Sequence, residues 1–331
     1  MKAINELKIG IVGCGGISRF HSKPYQKAGA QIALVYDVNR SAAETLAKES
    51  GAQVADSLDA MTKPGVLDAV SVCTPPAFHL ENCLPFVRAR FPVLCEKPLE
   101  ISVPRAKRLA AEVKKRRTIF MTAYCHRFHP PILEAKKLIE SGTLGKPLLF
   151  RNMFAGKFII KGNHRANPKF SGGGCVADNA AHAVDIFRFL MGDVVAVQAQ
   201  IASLTQKEAV EDFGLVALRG RNGCFGEIIC SYSTPHATNY VEVLCEKGVV
   251  TVSYWIAGRP DITYRIEGEK EERTVDVSQI PDRFTAEIGQ FLECVRTGNK
   301  PSITAEDGLA SAKIIAAAYA SAKSGRLVRI T

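Results

Sequence analysis

The chain has 331 residues, 47% of them hydrophobic, with ten cysteines and a formal net charge of +10. That length exceeds one comfortable core and reads as two domains. No apolar run reaches the roughly 18 residues that span a bilayer, and Met1–Lys8 lacks the basic-then-apolar order of a signal peptide, so a cytoplasmic protein without a membrane span is expected.

Lys8–Gly13 reads as a buried strand running into a glycine turn. Gln31–Tyr36 is a second strand and Ser41–Ser50 the helix after it. Asp68–Cys73 is a third strand, Pro92–Cys95 a fourth, Val103–Arg117 a helix and Thr118–Ala123 a fifth strand. Continuous Val/Ile-rich strands separated by helices imply a parallel sheet covered on both faces, an α/β Rossmann-type domain over residues 1–125. The densest basic stretch, Arg105–Arg117, sets its charges between Leu109, Ala110 and Val113 at helical spacing. No aromatic interleaves with it, so it reads as a solvated helix face and no nucleic-acid partner is expected. The cysteines scatter from Cys14 to Cys294 with no Cys-x-x-Cys pair and no zinc-ligand spacing. Neither a disulfide nor a metal site is expected.

After residue 125 the rhythm changes. A helix at Pro130–Ser141 precedes strand-like segments at Pro147–Phe158, Val194–Leu204, Glu211–Leu218, Cys224–Tyr232, Tyr240–Cys245 and Val249–Tyr254, with closing helices near Thr285–Thr297 and Ala305–Ser324. Turns at Gly220–Gly223 and Glu246–Gly248 are antiparallel grammar. Residues 126–331 therefore read as one α+β domain with a large, mostly antiparallel open sheet.

The turn after the first strand is Gly13-Cys14-Gly15-Gly16-Ile17-Ser18. Glycine belongs where such a turn is tight and where backbone approaches a pyrophosphate seated on the next helix's N-terminus. Asp37 ends the second strand roughly twenty residues on, the place for a carboxylate that accepts the adenosine ribose hydroxyls. Asp37 disfavours a 2′-phosphate and so favours NAD, while Arg40 leaves NADP open. Two more segments follow strands at the ligand side of such a sheet: Thr74-Pro75-Pro76-Ala77-Phe78-His79, and Glu96-Lys97-Pro98.

In the second half, Gly172-Gly173-Gly174 leads into a segment ending at Gly192. On a helix at about 100° per residue, with Asp178 at zero, Val176, Ala180, Ala183, Val184, Phe187, Leu190 and Met191 fall between roughly 120° and 240°. Asp178, His182 and Asp185 fall within about 40° of zero, away from that apolar stripe.

These features together resemble the glucose–fructose oxidoreductase / inositol dehydrogenase / rhizopine-catabolism family. The resemblance spans essentially the whole chain, including Arg127-Phe128-His129-Pro130 and Thr304-Ala305-Glu306-Asp307-Gly308. It implies an NAD(P)-dependent oxidoreductase that moves a hydride between nicotinamide and a secondary hydroxyl of a sugar, inositol or related polyol. Cofactor contacts are expected from Gly13, Gly15, Gly16, Ile17, Asp37, Arg40, Thr74, Pro75, His79, Glu96 and Lys97. The resemblance makes Lys97 the contact to nicotinamide ribose and reacting hydroxyl, His182 the general acid/base, and Asp178 a substrate ligand that orients the histidine. Ala180 departs from the glycine that relatives commonly carry there. Asn163, His164 and Arg165, in the polar loop before the glycine run, are the expected selectivity residues. Some relatives recycle a tightly bound NAD with no net redox change, cleaving glycosides or oxidising one sugar while reducing another, and that alternative stays open. A non-catalytic regulator is disfavoured by the intact Lys97/Asp178/His182 set. The broad apolar sheet predicts a homodimer or homotetramer.

Overall fold

The first half of the chain alternates strand and helix because its apolar residues come in short β-branched runs divided by amphipathic stretches. In chain order these are β1 (Lys8–Val12), α1 (Ser18–Lys27), β2 (Gln31–Tyr36), α2 (Arg40–Ser50), β3 (Gln53–Val54), α3 (Leu58–Met61), β4 (Ala69–Val72), α4 (His79–Arg88), β5 (Val93–Glu96), α5 (Val103–Arg116) and β6 (Phe120–Ala123). The computed structural model describes residues 2–254 and 260–330. The six strands are all parallel, in the order β3-β2-β1-β4-β5-β6. The order runs outward from β1 in both directions, so a crevice opens beyond the carboxyl ends of β1 and β4, the switch point where such sheets bind ligands. Every residue of β4, β5 and β6 is buried, as expected of strands covered on both faces. On α5 the buried residues are Ala106, Leu109, Ala110 and Val113, with Lys114, Lys115 and Arg116 in its last turn. β3, the four-residue α3 and α4 go beyond the five-strand reading. β3 is too short to leave a hydrophobic pattern, and α4 carries Pro85 inside it, which reads as a breaker.

The second half contributes α6 (Pro130–Glu140), β7 (Pro147–Ala155), α7 (Pro168–Ser171), α8 (Cys175–Met191), β8 (Val194–Ala202), β9 (Phe213–Gly220), β10 (Phe225–Ser231), β11 (Asn239–Cys245), β12 (Gly248–Tyr254), β13 (Ile262–Ile266) and β14 (Arg273–Thr274). Then follow α9 (Arg283–Thr297), α10 (Ala305–Ser324) and β15 (Val328–Arg329). Nine strands form one sheet in the order β14-β13-β12-β11-β7-β10-β9-β8-β15. All neighbours are antiparallel except the central β7–β10 pair. Helix α8 packs on these central strands, with Phe187 edge-on to Phe150 at 5.5 Å between ring centroids. β9 alternates buried and exposed residues along its length, so one face of the sheet is core and the other is open.

The chain divides into two compact units, residues up to Cys125 with Arg283–Ala312, and His126–Asp282 with the stretch from Lys313. The division corrects the expectation that everything after residue 125 forms one domain. Helix α9 packs on α1, where Phe20 and Phe284 lie 4.8 Å apart. At the start of α10, Ala305 joins the core of the first unit. Thr122 Oγ1 donates to the Thr304 carbonyl at 2.9 Å. An apolar helix pattern reports a buried face without saying which core buries it.

Candidate functional site

In the first unit, the glycine turn is dictated by crowding. Gly13 has φ of +91°, and a Cβ there would lie 2.7 Å from the Cys73 carbonyl carbon and 2.7 Å from the Thr74 nitrogen. A Cβ on Gly15 or Gly16 would meet no protein atom within 4 Å, which leaves room above the turn for a ligand. Ile17 leads directly into α1. Ser18, where the fingerprint has Gly or Ala, is fully buried, and its hydroxyl donates to the Gly15 carbonyl at 2.6 Å, tightening the turn. Asp37 accepts the Cys14 N–H at 2.7 Å and the Asn39 N–H at 2.8 Å, so its carboxylate is fixed at the end of β2. The open glycine backbone, the N-terminus of α1 and a fixed carboxylate suit a dinucleotide. Arg40 lies on the surface, with Nε 3.3 Å from Glu44 and Nη1 3.6 Å from Asp56. Gly13→Ala is expected to weaken NADH binding about tenfold or more, the effect of ~1–3 kcal/mol of backbone strain. An unchanged affinity in a fluorescence titration would remove this turn from the cofactor cradle.

His79 requires a correction. It is completely buried, with Nε2 2.8 Å from the Thr74 carbonyl and Nδ1 3.0 Å from that of Pro98. Burial pushes its imidazole below its usual pKa, against the pull of the Thr74 carbonyl. The ring ties the Thr74 loop to the Pro98 loop and offers nothing to a dinucleotide. Thr74 also accepts an Asn82 amide hydrogen on its hydroxyl at 3.2 Å, and Pro75 opens the short turn before α4.

Glu96 ends β5, 7% exposed. Burial pushes its carboxyl up, and its interactions with His21 first and Lys97 second more than offset this, holding it below the ordinary value. Lys97 follows on the partly exposed loop, joined to Pro98 by a cis peptide bond. No motif spacing pointed to His21, which is completely buried on α1.

In the second unit, the glycine run exists because α8 starts against backbone. A Cβ on Gly174 would fall 1.8 Å from the Glu211 carbonyl oxygen. Glu211 Oε1 accepts the Gly174 and Val176 N–H groups at 2.9 Å each and the Tyr319 hydroxyl at 2.7 Å. A carboxylate thus satisfies the otherwise orphaned donors of the helix start.

One turn into α8, Asp178 Oδ2 accepts the Tyr232 hydroxyl at 2.7 Å and Arg165 Nε at 3.0 Å. Burial, then the Asp178 charge, pushes the Tyr232 phenol well above its usual pKa, so it remains a donor. His182 is 7% exposed. Its ring lies 4.3 Å from that of His126 and 6.0 Å from Phe154. Asn179 donates to the Phe154 carbonyl at 3.1 Å. Asp185 is not on a polar face: it is 1% exposed and takes two bonds from Arg127, at 2.9 and 2.6 Å. Of the selectivity candidates, Arg165 reaches Asp178, whereas the Asn163 amide oxygen accepts the Arg165 N–H at 3.1 Å and caps its own turn. Tyr232 and His126 escaped sequence reasoning because each is brought to α8 from a distant strand end or turn. Beside Tyr232 opens a cavity of about 410 Å³ whose lining includes Lys157, Lys161, Lys207, Glu208 and Ser233.

Residues 7–124 match the family model described as an oxidoreductase family with an NAD-binding Rossmann fold, and residues 132–251 match that of the GFO/IDH/MocA C-terminal domain. The chain is 24% identical over 337 residues to a scyllo-inositol 2-dehydrogenase (NAD(+)) of Bacillus subtilis (strain 168), covering 98% of this chain and 97% of that protein. It is 26% identical over 339 residues to a myo-inositol 2-dehydrogenase of Thermotoga maritima, covering 98% of each. Among solved structures, levoglucosan dehydrogenase in complex with NADH superposes with a TM-score of 0.91 at 22% identity, covering 98% of this chain and 99% of that one.

Proposed function

The chain belongs to the GFO/IDH/MocA family of NAD-binding oxidoreductases, and on that premise we propose that it oxidises a secondary hydroxyl of an inositol, sugar or related polyol. The observation that carries the reading is the cluster at α8. There a carboxylate, a phenol and a guanidinium meet at one oxygen, with an imidazole one turn along the helix. Such a set offers the donors and acceptors that a polyol's hydroxyls require, next to an imidazole that can accept or donate a proton. When bound, NAD supplies the hydride chemistry.

The chain's own residues supply placement and proton handling. We assign His182 to accept the hydroxyl proton during oxidation and return it in the reverse direction. Asp178 binds a substrate hydroxyl and orients the imidazole. Lys97 contacts the nicotinamide ribose and provides the positive charge that favours an alkoxide-like oxygen. Asp37 selects NAD, because a 2′-phosphate would face a fixed carboxylate.

The test is absorbance and mass spectrometry of the purified protein for bound cofactor, then a panel of inositols and sugars with added NAD followed at 340 nm. NADH accumulation with one of them is expected. Bound NAD without NADH accumulation, while a glycoside is cleaved or a second sugar reduced, would replace this reading with the redox-neutral one.

The open face of the nine-stranded sheet exposes Leu215 (36%) and Phe225 (56%). We assign this face to self-association as a dimer or tetramer. Light scattering at micromolar concentration is expected to show an oligomer that Phe225→Glu dissociates, and a wild-type monomer would contradict the assignment. No helix among the described residues is long and apolar enough to cross a membrane. With ten free cysteines, we assign the chain to the reducing cytoplasm.

A further inference from the structure

Beneath the Glu96-Lys97 turn, four polar side chains from three different elements meet inside the first unit. His21, on α1, places Nε2 2.9 Å from Glu96 Oε1 and Nδ1 3.2 Å from Ser71 Oγ. Ser71, on β4, lies 2.8 Å from the Tyr25 hydroxyl. His21, Tyr25 and Ser71 are completely buried. The other Glu96 oxygen, Oε2, accepts the backbone N–H of Lys97 at 3.1 Å.

Donor accounting gives this chain one direction. Among the described residues, Ser71 is the hydrogen-bond partner of the Tyr25 hydroxyl, so Tyr25 donates to Ser71. Ser71 then spends its hydrogen on His21 Nδ1, which must be an unprotonated acceptor. His21 Nε2–H donates to Glu96 Oε1, and Lys97 N–H fills Oε2. Every donor has an acceptor when the imidazole is neutral with its hydrogen on Nε2. A doubly protonated ring would turn Ser71 Oγ into an acceptor from His21 and leave one buried hydroxyl hydrogen, that of Ser71 or of Tyr25, without an acceptor in the chain. Apolar residues of similar volume would generally be no less stable at such a position. A satisfied polar network instead specifies a single arrangement.

We propose that His21 is a positioning residue: through the Tyr25–Ser71–His21–Glu96 chain it fixes the start of the loop that aims Lys97. The proposal rests on the assignment of Lys97 to the cofactor. Glu96 cannot turn without breaking its bonds to His21 and to the Lys97 backbone together, so the loop inherits the orientation of a residue in the domain core.

Three substitutions separate this role from packing. Gln carries its amide N–H at the position of the lost Nε2, within reach of Glu96, whereas Asn overlays Nδ1 and stops short, and Leu offers neither. With folding checked by thermal melting, His21→Asn and His21→Leu are expected to weaken NADH binding about tenfold, the usual scale for a supporting partner, while His21→Gln stays close to wild type. In a Lys97→Ala background the His21→Asn effect should vanish, because two residues acting through one contact are not additive. If losses instead follow side-chain volume, or persist undiminished in the Lys97→Ala background, the positioning role is overturned. If Lys97→Ala alone leaves NADH affinity unchanged, the Lys97 assignment fails, a result distinct from additivity. In the wild-type protein, ¹⁵N spectra of the imidazole should show a single hydrogen on Nε2, and an Nδ1-protonated or doubly protonated His21 overturns the chain itself.

Discussion

Replacing His182 with Asn is expected to lower kcat by about 10²–10⁴-fold, the usual contribution of a positioned general acid/base. The amide keeps a polar group at this nearly closed position but cannot exchange a proton near neutral pH. NADH affinity should stay unchanged, because the cofactor fingerprint lies in the other unit, around Gly13 and Asp37. The measurement is steady-state kinetics on whichever polyol yields NADH, with a parallel fluorescence titration. A variant with near-normal kcat would disqualify His182. His126, whose ring lies 4.3 Å away, would then be the imidazole to test. Asp178→Asn is a milder companion experiment, since Tyr232 and Arg165 retain an oxygen to bond.

The largest stability effect is expected at Arg127 and Asp185. The pair is almost wholly buried, at 8% and 1% exposure, and its two bonds are short and parallel. Arg127→Ala leaves a carboxylate inside the second unit without its counter-charge, which costs about 3–5 kcal/mol. For a unit of this size that lowers Tm by roughly 6–20 °C. The double variant Arg127→Met with Asp185→Leu should regain most of the loss, because removing both charges removes the desolvation problem. Thermal and urea melts decide it. A single variant within 1 kcal/mol of wild type would show that water reaches the carboxylate.

Where patterns are local, the chain announces itself. The strand limits of β2, the glycine turn and the periodicity of α8 all follow from neighbours a few residues apart. That the first sheet is parallel and covered on both faces follows from the alternation of its strands with helices. Helix periodicity correctly placed Val176, Ala180 and Phe187 in the core. It misjudged Asp185, because a polar residue off the apolar stripe need not meet water when an arginine arrives from another segment. His79 misled for a related reason. It follows a strand at the ligand side of the sheet, but whether it faces cofactor or carbonyls depends on where the Pro98 loop folds back.

The amino-acid sequence alone therefore determined the two architectures, the dinucleotide turn, the family and the residues Lys97, Asp178 and His182 as the ones to consider. Those rest on spacing, composition and resemblance. Only the tertiary structure decided that α9 belongs with the first unit, that Tyr232 and Arg165 converge on Asp178, that Asp185 is an internal ion pair, and that His21 lies under Glu96. Each of these joins residues far apart in the chain. Side-chain chemistry tells what a group can do, but its partner is set by the packing of elements whose pairing no local pattern encodes.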